Sequence, residues 1–423
     1  MKKNRHLVRA FMAVAATGAV GLAHAGWVAS SVKADSGETF LQVVNDQGQA
    51  AGYARTTGTR TVRGITVTTY TDQGLFLNSQ GAIGRVDLSG TSSVATDRKV
   101  YAIDINRSGQ VLFGGSLGAQ VYGAHAQTPL NKLVFSPVAL NDAGQQAGTA
   151  QIGAFADGVN HLVLGRTDGT FQDLGVLGGK TSQATALNNL GQVVGFSRFA
   201  GSPGEFDNRA VLHDGQNLID LGQLLSPTAS SFATGVNDAG TVIGSLLTTS
   251  GNRAFIYRDG AMSLLALQGG TGAGTTSANA VNTASQVLGT SCVALALCEV
   301  MIEDQGQINV LGRLAGASTQ GLALNDRGQV LVSANLNGDV DYGLWDQGTM
   351  LNLDELVAGL GFTDVGYATL ANGFLAGYGT MANGQTQSFL LRDTGTAVPE
   401  PASLLLALAA LGLVGVIRRR RTC

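Results

Sequence analysis

The 423-residue chain has few prolines, few charges and few cysteines, and each shortage limits what the protein can be. Only six residues are proline, so almost every backbone N–H is free to join a strand ladder. Charged residues make up 13% of the chain, about half the usual share, while hydrophobic residues make up 44%. This composition belongs to a globular protein and excludes a disordered one.

Glycine takes the place of proline as the turn-forming residue. The chain contains 60 glycines, about twice the usual share. Many glycine turns combined with few ladder-breaking prolines are typical of an all-β protein built from many short strands. We therefore expect a large all-β body.

The formal charge of −3 hides an uneven distribution. Eight of the 26 basic residues and none of the 29 acidic ones lie in residues 1–25 and in the tail after Pro401, so the region between carries 18 basic and 29 acidic residues, a net charge of −11. Nucleic-acid binding needs a basic surface, so we predict no nucleic-acid partner. An acidic body suits a soluble extracellular protein.

The N-terminus has the three parts of a secretory signal peptide. Basic residues within 2–9 precede an apolar run over 10–22 and a small-residue Ala-His-Ala site at 23–25. We predict export through the secretion translocon and cleavage by signal peptidase between Ala25 and Gly26, which makes 1–25 the signal peptide. A retained anchor is the alternative, although the run is shorter than the roughly 20 residues that span a bilayer.

The C-terminus carries a second set of signals. Pro399-Glu400-Pro401 precedes an apolar run over 404–417, which we expect to form a transmembrane helix. Prolines keep the tripeptide extended and accessible. Each arginine costs about 2.5–3.5 kcal/mol at the bilayer centre, so an arginine cluster after the run stops translocation. The predicted stop-transfer residues are Arg418, Arg419, Arg420 and Arg421.

This order of tripeptide, apolar run and arginines resembles the PEP-CTERM sorting signal over residues 397–423. The resemblance implies that an integral-membrane exosortase reads Pro399, Glu400 and Pro401. It also implies transient anchoring in the inner membrane, followed by delivery to the cell surface or to an extracellular matrix that contains exopolysaccharide. A plain membrane anchor is the alternative, but such an anchor has no need of the tripeptide.

One phrase recurs through the region between the two ends, as in Asn188–Gly195 (NNLGQVVG). Asn, Asp and Gly at these spacings are turn chemistry, because Asn and Asp bond their own backbone and Gly accepts positive φ. Copies are separated by 61, 35, 47, 49, 45, 43 and 47 residues. The copies begin at Asn45, Asn106, Asn141, Asn188, Asn237, Asn282, Asn325 and Asn372.

A second phrase lies between these copies, as in Asn208–Gly215 (NRAVLHDG) and Asn252–Gly260 (NRAFIYRDG). Both phrases resemble the extracellular HAF repeat, although the His-Ala-Phe run survives only as Arg-Ala-Val or Arg-Ala-Phe. Together they give four short strands per unit of about 45 residues, which is the pattern of a propeller blade.

We therefore predict a β-propeller of about eight, alternatively seven, four-stranded blades over 26–396. A β-helix would have a shorter period, and two β-sandwiches would not share one phrase. The segment Trp27–Val32 is expected to supply the outer strand of the last blade.

Three cysteines are present, and Cys423 belongs to the tail. Export to an oxidising compartment favours a local disulfide between Cys292 and Cys298, with two buried thiols as the alternative. Two cysteines without further ligands do not make a structural zinc site.

No catalytic motif stands out, so we predict no enzyme activity, no cofactor and no metal. His125, His161 and His213 lie in different units, and the pairs Asp354/Glu355 and Asp339/Asp341 are assigned to surface charge. The Asn-Asp-x-Gly phrase offers too few carboxylates for calcium, so it is interpreted as a turn. Trp345 and Tyr257 are assigned to core packing.

Two functions remain open. The first is a non-catalytic binding or structural module whose partners are exopolysaccharide or surface proteins. The second is an extracellular glycan hydrolase or lyase with its site at the propeller axis. Ionisable side chains clustered at one mouth of the axis would favour the enzyme, and a channel lined by small residues would favour display.

Overall fold

The computed structural model describes residues 26–395, apart from 36, 63–64, 87–96, 99, 116–117, 124–128, 133–134, 154–157, 202–206, 226–228, 267–273, 294–296 and 337. Strands dominate this part of the chain, as predicted. The predicted signal peptide and the C-terminal tail lie outside the described residues. No helix in the described ranges is both long and apolar enough to cross a membrane.

The strands group into eight successive units of four, numbered here in chain order, with the first strand belonging to the last unit. A single parallel bridge between Asn160 and Thr181 joins units 3 and 4 into one sheet. β1 is Trp27–Val32. Unit 1 contains β2 (Glu38–Val44), β3 (Ala50–Val62), β4 (Ile65–Leu77) and β5 (Ile83–Val86), and the short β6 (Asp97–Arg98) pairs with β4. Unit 2 contains β7 (Val100–Ile105), β8 (Val111–Gly115), β9 (Gln120–Tyr122) and β10 (Pro129–Lys132). Unit 3 contains β11 (Ser136–Leu140), β12 (Gln146–Gln151), β13 (Asn160–Gly165) and β14 (Phe171–Asp173). Unit 4 contains β15 (Gly178–Leu187), β16 (Val193–Phe199), β17 (Asn208–His213) and β18 (Leu218–Asp220).

The remaining units follow the same order. Unit 5 contains β19 (Ser231–Val236), β20 (Val242–Thr248), β21 (Gly251–Arg258) and β22 (Ala261–Leu264). Unit 6 contains β23 (Gly274–Val281), β24 (Val287–Val293), β25 (Leu297–Asp304) and β26 (Gln307–Gly312). Unit 7 contains β27 (Thr319–Leu324), β28 (Val330–Leu336), β29 (Asp339–Asp346) and β30 (Thr349–Asn352). Unit 8 contains β31 (Phe362–Ala371), β32 (Phe374–Met381) and β33 (Thr386–Asp393) with β1. The helices are α1 (Leu221–Leu225) and α2 (Leu353–Ala358), and a 3-10 turn covers Leu314–Gly316.

The hydrophobic core lies between neighbouring units rather than inside any one of them. One cluster joins Val194 and Leu212 of unit 4 to Val242 and Phe255 of unit 5, and Phe255 is fully buried. Both faces of a sheet are therefore covered by its neighbours, which is why its middle strands carry continuous apolar runs. A unit removed from the ring would expose both faces, so no unit is expected to be stable alone.

The ring closes through unit 8. β1 pairs antiparallel with β33 from Trp27 opposite Asp393 to Val32 opposite Ser388, which confirms the predicted outer strand. Unit 8 also meets unit 1, since Leu41 N donates to Ser388 Oγ at 2.8 Å and Ser388 N donates to Thr39 Oγ1 at 2.8 Å. The arrangement of sheets is β-propeller-like.

The turn after the first strand of unit 8 differs from the prediction. Units 1 to 7 place the phrase asparagine just after the strand, but in unit 8 that position is held by Ala371. Asn372 instead occupies the next position, and Asn372-Gly373 forms a two-residue hairpin with Gly373 at φ +77°. The prediction that the eighth copy of the phrase begins at Asn372 is therefore wrong by one residue. A short Asn-Gly hairpin resembles the longer phrase in sequence.

Some glycines are required by close approach rather than by a turn. A Cβ added at Gly195 would lie 1.9 Å from the Gln183 carbonyl oxygen, where the register of β15 shifts between Ala184 and Ala186. No side chain fits at that distance. The high glycine content therefore serves the bulges of the innermost strands as well as the turns.

Gly240 tests the turn assignment. Its φ of +79° confirms the predicted left-handed conformation, and an added Cβ would meet only Gln192 Oε1 at 3.7 Å. Gly240→Val should therefore cost about 1–2 kcal/mol or more from backbone strain alone. Thermal melts should show this loss, while Ala239→Val in the same turn should melt like the wild type; equal melts for both would contradict the assignment.

The copy that begins at Asn282 has Ser285 where the other copies from Asn45 to Asn325 have glycine, so the sequence predicts a less regular turn there, and the structure corrects this prediction. Ser285 adopts φ +64°, and its hydroxyl lies 2.9 Å from both Asn237 Nδ2 and Thr241 Oγ1. The turn is as ordered as the others. A valine at this position should therefore be as costly as one at Gly240.

Candidate functional site at the axial mouth and between units 6 and 7

A ring of buried asparagines surrounds one end of the axis. Asn188 is typical: its Oδ1 accepts from the Leu190 and Gln192 N–H groups, and its Nδ2 donates to Gln192 Oε1 at 2.7 Å and to the Asn237 carbonyl of the next unit at 2.8 Å. These contacts use both ends of the amide. The same amide-to-carbonyl link to the next unit occurs at Asn45, Asn106, Asn141, Asn188, Asn237, Asn282 and Asn325, with distances of 2.8–3.2 Å.

A second ring lies immediately outside the first, at the following residue of each phrase. Here the side chain of one unit accepts from the backbone N–H of the unit before it, as in Asp142 N to Asn189 Oδ1 at 2.9 Å. The link from Asn372 N to Asp46 Oδ1 at 3.1 Å joins unit 8 to unit 1. The other acceptors are Asp142, Asp238, Asp326 and Asn372, with distances of 2.7–2.9 Å.

These two rings line a mouth with a cavity of about 530 Å³. Its carboxylates are occupied by structural partners. Asp46 also pairs with Arg107 at 3.2 Å. Burial opposes ionisation of Asp326, but hydrogen bonds from the Thr283 N–H and the Asn372 side chain outweigh it and hold its pKa below the usual value. The carboxylates of the mouth therefore join neighbouring units through hydrogen bonds.

The sequence interpretation missed a third set of links. A buried Ser or Thr stands six residues before the phrase asparagine in five units, and its hydroxyl accepts a backbone N–H at 2.8–3.0 Å. The donor lies in the third strand of the preceding unit in four cases and is Leu314, in the turn after unit 6, in the case of Thr319. Alignment of the repeat phrases would have found them. They are Thr39, Ser182, Ser231, Thr276 and Thr319, each no more than 2% exposed.

Asp104 forms a different seam contact. Its carboxylate accepts from Leu140 N of unit 3 and from Ile105 N, both at 2.8 Å. Burial raises the pKa of Asp104 to about 6, partly opposed by these two N–H groups. The folded protein therefore holds this proton more tightly than the unfolded chain does.

This shift predicts a pH-dependent stability. Because the folded pKa of Asp104 lies above its unfolded value of 3.8, the contribution is full below pH 4 and is lost as the pH rises towards 6. The loss should be on the order of 2 kcal/mol. Between pH 4 and 7, the free energy of unfolding of Asp104→Asn, obtained from denaturant melts, should fall less steeply with pH than that of the wild type. An equal dependence on pH would show that Asp104 does not titrate there.

The opposite end of the innermost strands has a different character. A cavity of about 800 Å³ lies there between units 2, 3 and 4. Gly114, Gly118, Ala119 and Ala184 line it together with Tyr101, and none of its described lining residues carries a charge.

The histidines are not brought together. His161 Nδ1 lies 2.9 Å from both carboxylate oxygens of Asp173 within unit 3. His213 is buried in unit 4, and burial lowers its pKa, although Asp214 acts in the opposite direction. His125 lies outside the described residues.

Two carboxyl groups assigned to surface charge lie near each other. Burial, together with the nearby Asp364, raises the pKa of both Asp341 and Asp354. Asp354 Oδ1 accepts Val365 N at 2.8 Å.

Cys292 and Cys298 lie opposite each other on β24 and β25, and their sulfurs are bonded. The described residues contain no group of three or more His, Cys, Asp or Glu side chains that could hold a metal. The sorting tripeptide Pro399–Pro401, the arginines and Ala25 lie outside the described residues. Gly26 begins them, and its carbonyl accepts from Thr394 N at 2.8 Å.

A smaller cavity of about 350 Å³ opens between units 6 and 7. Trp345 forms one wall, with Arg327 and Asp304 beside it and the amides of Gln307 and Asn309 also lining it. Trp345 packs on the core, as predicted, but it also faces this cavity. Sequence reasoning did not bring these residues together, because they come from two units.

Residues 397–421 match the PEP-CTERM protein-sorting motif. The tail is a PEP-CTERM sorting motif. This motif implies export and processing by an exosortase. The PEP-CTERM match covers the tail alone and carries no information about the ring.

Comparison of the whole chain gives weaker likenesses. An oligogalacturonate lyase in complex with manganese is 10% identical with a TM-score of 0.41, over 92% of this chain and 98% of that one. The β-propeller domain of the Trilobed protease from Pyrococcus furiosus is 11% identical with a TM-score of 0.39, over 70% and 97%. The Aleuria aurantia lectin in complex with Fucalpha1-6GlcNAc is 11% identical with a TM-score of 0.30, over 61% and 95%. No curated protein matches the sequence.

Proposed function

We propose that this chain is a PEP-CTERM surface or matrix protein whose ring is an eight-bladed β-propeller that binds or displays and does not catalyse. The observation that carries this proposal is the hydrogen bonding of the carboxylates at the axial mouth. Its carboxylates accept backbone N–H groups of neighbouring units, so they hold the ring together and leave no free acid–base pair there. The expected partners are exopolysaccharide or other surface proteins.

The proposal includes a route to the surface. The translocon exports the chain, signal peptidase cuts between Ala25 and Gly26, and a transmembrane helix over 404–417 holds the protein in the inner membrane. Arg418–Arg421 stop translocation, and exosortase then acts at Pro399-Glu400-Pro401. We also propose that the blades are divergent HAF-type repeats.

The alternative is a glycan-active enzyme. The raised pKa values of Asp341 and Asp354 are the one observation that favours it, since raised carboxyl pKa values are common at catalytic sites. Incubation of the protein with a panel of polysaccharides, followed by reducing-end and unsaturated-product assays, tests it. Release of products that is lost in Asp354→Asn would replace the display function with this one.

Replacing Pro399, Glu400 and Pro401 by Ala-Gln-Ala tests the route. The change leaves the hydrophobicity of the tail and the arginine barrier almost the same. If the tail is only an anchor, the variant should therefore be held in the membrane like the wild type. An exosortase that recognises the tripeptide should not process the variant. The variant should then accumulate as a membrane-bound form that keeps its tail. The assay is a blot against a tag after Cys423 in a host that has an exosortase.

Removal of Arg418–Arg421 serves as the matched control, because it should let some chains slip through the membrane instead. If the wild type keeps the C-terminal tag as fully as the Ala-Gln-Ala variant, the tail is only an anchor.

A further inference from the structure

We propose that the cavity between units 6 and 7 is a saccharide-binding subsite in which one sugar ring of a neutral polysaccharide lies against the indole of Trp345. This inference rests on the proposed binding function and names its ligand class and its place in the ring.

The cavity exists because one side chain is short. In the seam between units 5 and 6, Arg258 at the end of β21 reaches across to Glu303 at 3.0 Å and fills the gap. The equivalent position of unit 6 is Asp304, which is too short to reach unit 7 and accepts from Gln286 of its own unit at 2.9 Å. The space that an arginine fills in one seam is therefore open in the next.

The seam between units 7 and 8 is closed by a different set of contacts. Asp346, at the same strand position as Asp304, accepts from Trp27 Nε1 at 3.0 Å and from Gln329 Nε2 at 3.1 Å. Arg327 pairs with Asp393 at 2.9 Å. The open gap therefore lies between two filled seams.

Trp345 provides a rigid apolar wall in this gap. Its ring packs on the core cluster that includes Val330 and Leu288, and the side chain remains partly exposed where it lines the cavity. Its indole N–H makes no hydrogen bond within the described residues. An aromatic side chain with one supported face and a free polar edge fits a ligand with an apolar face and hydroxyl groups.

The polar groups of the cavity fit a neutral sugar better than an ion. The charge of Arg327 is matched by Asp393, and Asp304 already accepts from Gln286. Exposed amides of Gln307 and Asn309 add donors and acceptors of the kind that hydroxyl groups need. The volume of about 350 Å³ falls near the lower end of the roughly 300–1,000 Å³ typical of ligand sites.

The test uses the full chain purified in detergent, with cellotetraose and maltotetraose as neutral probes and tetragalacturonate as an anionic one. Tryptophan fluorescence reports on the site, because the chain has two tryptophans and Trp27 is only 1% exposed. We expect saturable binding of a neutral probe, weakened roughly tenfold or more by Trp345→Ala and less by Trp345→Phe when followed by calorimetry. Tyr257→Ala, at the equivalent strand position of unit 5 and outside the cavity, should bind like the wild type.

Asp304→Arg is the sharper variant, because it keeps Trp345 and copies the residue that fills the neighbouring seam. It should abolish binding while its thermal melt stays close to that of the wild type. If the wild type binds a neutral probe and both Trp345→Ala and Asp304→Arg bind equally well, the subsite is elsewhere and the binding function stands. Preference for tetragalacturonate overturns the neutral-sugar assignment. If a glycan array that includes exopolysaccharide shows no binding at all, the binding function falls together with the subsite.

Discussion

Replacing Asn188 by alanine is expected to lower the free energy of unfolding by about 3–5 kcal/mol. The side chain is 4% exposed and satisfies the Leu190 and Gln192 N–H groups as well as the Asn237 carbonyl. Alanine would leave these groups without partners in a place that water reaches poorly, and each unpaired buried group costs about 1–3 kcal/mol. Denaturant unfolding followed by circular dichroism measures the loss.

Asn189→Ala is the matched control, since the neighbouring side chain is exposed and belongs to the outer ring. It should cost about 1 kcal/mol or less. Asn188→Asp offers a second check, because it keeps the acceptor but places a carboxylate where the amide faced the Asn237 carbonyl. Its penalty should grow as the pH rises. If Asn188→Ala and Asn189→Ala lower the free energy of unfolding equally, the inner ring contributes no more to stability than the outer ring.

Trp27→Ala should have a similarly large effect, about 3–5 kcal/mol, and should also open the ring. Trp27 is 1% exposed and packs with Leu391, Leu353 and Phe389 in the core between units 7 and 8. Its loss leaves a cavity behind β1, which holds unit 8 closed as its outer strand. Native-state hydrogen exchange should then show β33 exchanging much faster than the strands of unit 4.

Trp27→Phe separates packing from hydrogen bonding. It keeps most of the apolar surface and loses only the bond from Nε1 to Asp346. A loss of about 1–2 kcal/mol is expected. A Trp27→Ala protein that melts and exchanges like the wild type would mean that closure does not depend on this strand.

The repeat turns and the order of strands could be predicted because their chemistry is local. An asparagine that bonds its own backbone, followed by a glycine with positive φ, needs no tertiary information. The place of Trp27–Val32 as the outer strand of the last unit was also predicted from the sequence, and its pairing with β33 confirms it.

The errors and omissions came from contacts between units. Asn372 was assigned to a phrase position that Ala371 holds. Only the folded ring shows that the Asn325 amide donates to the Ala371 carbonyl and that Asn372 accepts from Asp326 N. Asp341 and Asp354 were assigned to surface charge, and no spacing rule indicates that a strand and a helix bring them together. The cavity at Trp345 depends on Asp304 being shorter than Arg258, which matters only once the two units are side by side.

The pairing of β33 has a mechanical consequence. This strand is hydrogen-bonded to β32 along one edge and to β1 along the other, and two residues beyond its end the chain reaches residue 395 and the tail. A force applied through the tail acts along the strand. The backbone hydrogen bonds on both edges of β33 are then loaded together in shear and do not open one after another. A protein held at a surface by its proposed sorting tail would then resist flow through its strongest geometry. Loss of β1 would remove the rungs along one of those two edges.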